Sequence, residues 1–218
     1  MPKTTHKLKS LPLAVLASLL LTACQREAGP GPEIHDTKYR AVNAQGEVQD
    51  ASVAPGACVY DEFTQLTWEV KLAGPGLRSR ENTYSWYEPD ESHGGELDYR
   101  GLPNGGQCEG SACDTHSYVA AVNATRLCGY DDWRMPSRDE LGSLSDPRRN
   151  SSPPTINTRH FPNTQPDEYW SGNDYQFQYD SAWLWSFQSG LDRVEWKKTP
   201  RYLRLVRGQP VHLQRIKD

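Results

Sequence analysis

Apolar positions along this chain change their spacing from segment to segment, and each spacing predicts a different element. Residues 11–23 (LPLAVLASLLLTA) form one continuous apolar run. Residues 25–56 hold few large apolar side chains and contain GPGP at 29–32, the composition of a flexible tether. From Cys58 the apolar positions alternate. Val59, a turn-like DEFTQ, then Leu66, Trp68 and Val70 on one face predict a hairpin. Residues 74–112 are rich in Gly, Pro, Asn and Ser and show no period; long irregular regions inside a domain are usually functional or disulfide-stapled. Tyr118, Val119, Ala121, Val122 and Leu127 predict a helix over 114–127, with Asp114 or Thr115 as N-cap and Gly129 just past its end. A second helix follows Ser137, with Glu140 three residues later in a capping-box arrangement and Leu141 and Leu144 as its buried stripe. Residues 147–168 read as loop. Strand-like runs then occupy Tyr169–Ser171, Ala182–Phe187 and Tyr202–Val206, with Gly190 turning between the last two. In the second run Trp183 and Trp185 share one face and Leu184 and Ser186 the other, so one of these faces must be core.

The N-terminal run changes the picture most. Lys3, Lys7 and Lys9 precede it, and Leu21-Thr22-Ala23-Cys24 closes it, which is a secretory signal with a cysteine directly after a small-residue cleavage site. The run is well short of the ~20 residues a membrane-spanning helix needs. Removal of residues 1–23 would leave Cys24 to carry the lipid, and Gln25 rather than aspartate after it points to the outer membrane. The expected organisation is a lipoprotein signal peptide over 1–23, a tether over 24–56, one domain over 57–210 and a C-terminal tail over 211–218. The expected location is lipid-anchored at the outer membrane of a Gram-negative bacterium, on the periplasmic or cell-surface side, with the bilayer as a partner through acylated Cys24.

Composition and charge narrow the function. The formal net charge is −4, and loss of the three leader lysines would make the product more acidic, which argues against nucleic acid as a partner. With 7 Trp, 11 Tyr and 17 Gly, aromatic residues must fill much of the core of a loop-rich fold. Beyond Cys24 the chain carries Cys58, Cys108, Cys113 and Cys128, an even set that implies two disulfides in an oxidising compartment. Cys113 and Cys128 lie at opposite ends of a helix about 20 Å long, beyond the ~7 Å that a disulfide spans. Two connectivities remain: Cys108–Cys113 with Cys58–Cys128, which is favoured, and its rival, Cys58–Cys113 with Cys108–Cys128. No cysteine pair has metal-ligand spacing and the histidines are scattered. There is no GxSxG and no HExxH motif. The adjacent acids Asp131/Asp132, Asp139/Glu140 and Asp167/Glu168 have no third group in sequence to tune them. The reading is therefore non-enzymatic, with no catalytic residue and no metal site.

Several blocks together resemble one family. They are LTWEVK (66–71), CDTHSYVAAVN (113–123), LCGYDDWRMPSRDELGSL (127–144), PTIN and FPNT (154–164), YWS (169–171), AWLWSFQSG (182–190) and YLRLVRG (202–208). Their order and spacing are similar to the Lcl C-terminal domain family, over about residues 57–208. The resemblance implies an exported or surface protein; the named member of the family is an adhesin that binds sulfated polysaccharides and promotes cell–cell adherence. The W-R-x-P-x₃-E-L block and the closing L-R-L-V-R-G also resemble, distantly, the formylglycine-generating enzyme and C-type lectin-like group. That likeness implies an α+β, C-type-lectin-like or formylglycine-generating-enzyme-like single domain, with two helices on a small, twisted antiparallel sheet, long loops and two disulfides. The enzyme's late cysteine pair has no counterpart, because no cysteine follows Cys128. Gln165-Pro166-Asp167 with Asn173-Asp174 resembles the calcium- and sugar-holding loops of C-type lectins, and their oxygens suit a hard cation. The two halves lie much closer together than in that pattern, and such a tripeptide in a Pro-rich loop is more often a turn. Calcium is thus the one cofactor to be weighed against none.

Read on their own chemistry, Trp68 and Trp133 are core anchors, and Arg134 with Glu140 an ion pair or cap that fixes the corner between the helices. The expected ligand surface is built by the loops at 74–107 and 163–181, with Tyr175, Phe177 and Tyr179 exposed and with Asp167, Asn173 and Asp174 beside them. A glycan is the first expected partner, in a carbohydrate-binding or adhesive module. An envelope protein is the second, bound by a periplasmic inhibitor, immunity or assembly lipoprotein.

Overall fold

The computed structural model describes Pro2 and residues 38–90 and 98–210. The signal segment, Cys24, the start of the tether and the tail at 211–218 lie outside the described residues, and the compact unit described below falls within Ile34–Asp218. No helix among the described residues is long and apolar enough to cross a membrane.

The class is α+β. Strands β1 (Tyr39–Val42), β2 (Cys58–Asp61) and β3 (Leu66–Glu69) are followed by helices α1 (Thr115–Ala124) and α2 (Arg138–Ser143). Then come β4 (Glu168–Asp174), β5 (Ser181–Ser186), β6 (Leu191–Trp196) and the short β7 (Val206–Arg207). The strands form two antiparallel sheets, β1-β2-β3-β7 and β4-β5-β6, in place of the single small sheet expected. The β2–β3 hairpin is the one predicted, with Val59 opposite Trp68.

Three expectations need correction. The tether does not run to residue 56: Lys38 salt-bridges Asp61, and Tyr39, Ala41 and Val42 are buried where β1 pairs with β2. Helix α1 stops at Ala124 rather than 127, because Arg126 and Cys128 take left-handed backbone at φ 51° and 52° and break the ladder. Gly190 turns into β6, a strand that no hydrophobic period predicts, and not into the Tyr202–Val206 run, of which only Val206 is strand.

Both disulfides follow the favoured pairing, Cys58–Cys128 and Cys108–Cys113. Asp114 caps α1 by accepting the Ser117 N–H at 2.7 Å, and its second oxygen accepts Asn104 N–H at 2.9 Å. Ser137 and Glu140 form the reciprocal capping box of α2. Ser137→Ala is expected to cost ~1 kcal/mol, read as a small drop in thermal midpoint with the far-ultraviolet spectrum retained.

The core has two lobes. In one, Tyr84, Trp86, Tyr118, Val122, Trp133, Trp170 and Leu184 pack around the Cys58–Cys128 bridge. In the other, Tyr39, Leu66 and Trp68 of the first sheet pack with Leu141 of α2, Tyr169 of β4 and Phe161. Trp133 is 2 % exposed and is pinned by Asn123, whose amide bonds both its N–H and its C=O. Arg134 forks onto Glu140 at 2.7 and 2.8 Å. The expected long loop at 74–107 is half core, since Tyr84 and Trp86 are buried and their segment bridges Gly101, Gln107, Asp114 and Arg201. Gly106 permits that approach; a Cβ there would lie 2.2 Å from the Thr83 carbonyl.

Candidate functional site

The far end of β4 builds the site. The β4–β5 register slips between Trp170 and Asp174, a bulge that turns the strand towards α2. Gly172 N–H reaches the Pro136 carbonyl at 2.8 Å, and Asn173 Oδ1 accepts the Arg138 N–H at 2.7 Å. The β4–β5 connection folds back on itself through Gln178 N–H to Tyr175 C=O and Tyr175 N–H to Ser181 C=O. Between this connection and the start of α2 lies an open cleft of about 310 Å³.

Its floor is aromatic. The half-buried Trp183 ring carries the Arg138 guanidinium at 4.7 Å and meets the Tyr175 ring edge-on at 5.3 Å. Phe177 follows at 5.5 Å from Tyr175 and is 89 % exposed, the most exposed large apolar side chain among the described residues. Its rim is polar: Asp139, Asn173 and Gln176. The charges are largely matched. Arg138 pairs with Asp139 and, at 3.2 Å, with Asp192. Asp174 pairs with the buried Lys197.

Lys197 also joins the two expected binding loops. Its ammonium donates to the Tyr99 carbonyl and lies 4.3 Å from the Trp86 ring centre and 5.6 Å from that of Tyr99. Tyr99 in turn meets Tyr179 edge-on at 6.0 Å. So the segment after residue 98 meets the end of β4 and the β4–β5 connection around a cation.

The predicted site residues divide accordingly. Tyr175, Phe177, Asn173 and Asp174 line the cleft; Tyr179 packs beside it on Tyr99. Tyr175 is half-buried rather than exposed, because Trp183 takes its ring edge. Asp167 does not join them. It precedes β4 while Asp174 ends it, and a strand rises about 3.3 Å per residue. Asp167 Oδ1 accepts the Glu168 N–H and Asn173 Oδ1 the Arg138 N–H, so the tripeptide and the Asn-Asp pair do not converge on a shared ion. Among the described residues no group of three His, Cys, Asp or Glu side chains could hold a metal. Arg138, Asp139 and Gln176 were missed as site residues. The only signal for Arg138 was its place just inside the capping box, at the mouth of α2.

The family profile of the Lcl C-terminal domain matches residues 57–207, about two-thirds of the chain, and the chain belongs to that family. No curated protein and no solved structure matches it, so the distant likeness to the formylglycine-generating and C-type lectin-like group has no structural match behind it.

Proposed function

From membership of the Lcl C-terminal domain family we propose that this chain is a non-catalytic binding protein of the bacterial envelope, anchored through acylated Cys24, and that it binds carbohydrate in the cleft between β4, β5 and α2. One observation carries the reading: Phe177 stands 89 % exposed beside a Trp183–Tyr175 floor with a rim of planar polar side chains. Aromatic faces stack on the apolar faces of sugar rings, while amides, carboxylates and guanidinium groups hydrogen-bond their hydroxyls. An enzyme fits less well, since Asp139 and Asp174 are committed to Arg138 and Lys197, and no nucleophile–base pair lies in the cleft.

The test is a glycan array probed with the full chain, run beside a pull-down from envelope extract. A set of glycans bound by the parent and not by Phe177→Ala supports the reading. An empty array together with one stoichiometric envelope protein that Phe177→Ala fails to capture replaces it with the protein-binding alternative. On the anchor, Cys24→Ser is expected to abolish acylation and to release the protein from washed membranes, because stable attachment needs buried acyl chains at ~0.8 kcal/mol per CH₂. Membrane fractionation equal to the parent, with no acyl mass on the parent, would contradict it.

A further inference from the structure

Strand β6 (LDRVEW) is the outer strand of the second sheet and has no strand beside it among the described residues. It carries three charges, Asp192, Arg193 and Glu195, but has no proline, no lysine and no bulge to block a partner strand. Leu191, Val194 and Trp196 are 60, 37 and 51 % exposed. Its backbone polarity is fixed by the ladder. Lys197 N–H bonds the Asp180 carbonyl across to β5, so by antiparallel alternation residues 191, 193 and 195 also turn their backbone groups to β5. Asp192, Val194 and Trp196 therefore turn theirs outward. Trp196 uses both locally: its N–H goes to Glu195 Oε1 and its carbonyl accepts from Thr199 N–H, each at 2.8 Å. Asp192 and Val194 are left facing an open edge.

We propose that this edge is a homodimer interface, in which β6 pairs antiparallel with β6 of a second copy about a two-fold axis at Val194. The strand's own charges select that partner and that register. An axis between residues would set an outward-turned residue against an inward-turned one and form no ladder. An axis at Asp192, at Arg193 or at Glu195 would set two like charges directly opposite each other, which destabilises a strand pair. Only the axis at Val194 places Arg193 opposite Glu195 of the second copy, twice; the two Val194 residues then exchange the backbone bonds, and Asp192 faces Trp196, whose backbone groups stay with Glu195 and Thr199. Charges within each copy extend the pattern, because Arg193 lies 3.8 Å from Glu168 and Arg201 2.7 Å from Glu195. Pairing thus creates an alternating row of acid and base across the new strand pair. Val194 lies opposite Trp183 on β5, so the two clefts would open on the same face of one continuous sheet. The dimer does not depend on what the cleft binds.

Sedimentation equilibrium of the full chain in a density-matched neutral detergent tests this. A single strand pair is a small interface, so a reversible dimer is expected in the micromolar range. Arg193→Glu opposes two acids across the axis and is expected to weaken the dimer about tenfold or more. The charge swap Arg193→Glu with Glu195→Arg re-forms the pairs across the axis and is expected to recover part of the lost affinity, since it also sets like charges against Glu168 and Arg201 within each copy. Val194→Pro removes an outward N–H while sparing the β5–β6 ladder, and is expected to abolish the dimer. If the proline disturbs the fold, seen as a lowered thermal midpoint, the charge-reversal and charge-swap pair decides. A monomer at every concentration, a trimer, or a dimer indifferent to Arg193→Glu would overturn the proposal.

Discussion

Glu69→Gln is expected to cost the fold about 3–5 kcal/mol, measured as a lowered midpoint and extrapolated stability in denaturant. Glu69 on β3 is fully buried and faces away from Leu66 and Trp68. Its Oε1 accepts a very short hydrogen bond from the Tyr118 hydroxyl and lies 3.1 Å from Lys71 Nζ; its Oε2 accepts the Leu205 N–H at 3.0 Å. Lys71 in turn donates to the Tyr118 oxygen at 2.8 Å, and Arg204 donates to the Glu69 carbonyl at 2.7 Å. One carboxylate therefore sits among two buried cations, and neutralising it leaves Lys71 and Arg204 uncompensated in low dielectric. Replacing Lys71 by methionine in the same chain removes one stranded charge, so Glu69→Gln/Lys71→Met is expected to recover part of the loss.

The same carboxylate gives the acid limb of stability its shape. Burial alone would raise its pKa, but Lys71, the Tyr118 hydroxyl, the Leu205 N–H and Arg78 outweigh burial and hold it below the ordinary carboxylate value. A depressed folded pKa stabilises the fold fully above the unfolded value of about 4.3. That contribution is lost as pH falls through the folded pKa. The parent should thus weaken below about pH 5, and Glu69→Gln should show a shallower acid limb. Identical acid limbs for the two proteins would contradict this account of the cluster.

Removing Cys58–Cys128 is expected to cost about 4 kcal/mol, and removing Cys108–Cys113 about 2 kcal/mol, if loop closure in the unfolded chain dominates. The first bridge closes a sequence separation of 70 and the second one of 5. The first also runs through the core, tying β2 to the turn after α1, with Cys58 wholly buried and Cys128 nearly so. Paired alanine substitutions, compared by denaturant midpoint, should rank in that order. The reverse ranking would mean that local strain or residual structure outweighs loop length.

What was legible in the sequence is what local rules decide. The hairpin turn, the two helix caps and the Arg134–Glu140 corner follow from residue types at short spacing, and the helix length excluded one disulfide pairing. What was not legible depends on distant partners. The alternation that placed Leu66, Trp68 and Val70 on one face says nothing about Glu69 and Lys71 on the other. They are buried only because α1, through Tyr118, and the 203–205 segment, through Arg204 and Leu205, cover that face. Strand β1 was hidden inside a polar stretch, since Tyr39–Val42 is short and gains its burial from β2. Strand β6 was hidden because an exposed edge strand with alternating charges carries no hydrophobic period. In the cleft, Phe177 and Tyr175 could be read from an aromatic loop. Arg138 could not, because only the fold lays it over Trp183.

The central claim is that the cleft at Phe177 is the binding surface. The direct measurement is calorimetric titration of the tightest array oligosaccharide into the full chain and into Phe177→Ala and Gln176→Ala. Both substituted side chains are exposed, so the thermal midpoint should stay within about 1 °C to 2 °C of the parent. Affinity for the oligosaccharide is expected to fall at least tenfold in Phe177→Ala, as loss of a contact of about 1.4 kcal/mol requires. Parent-like affinity in both variants, with folding intact, would contradict the claim and place the ligand on another face.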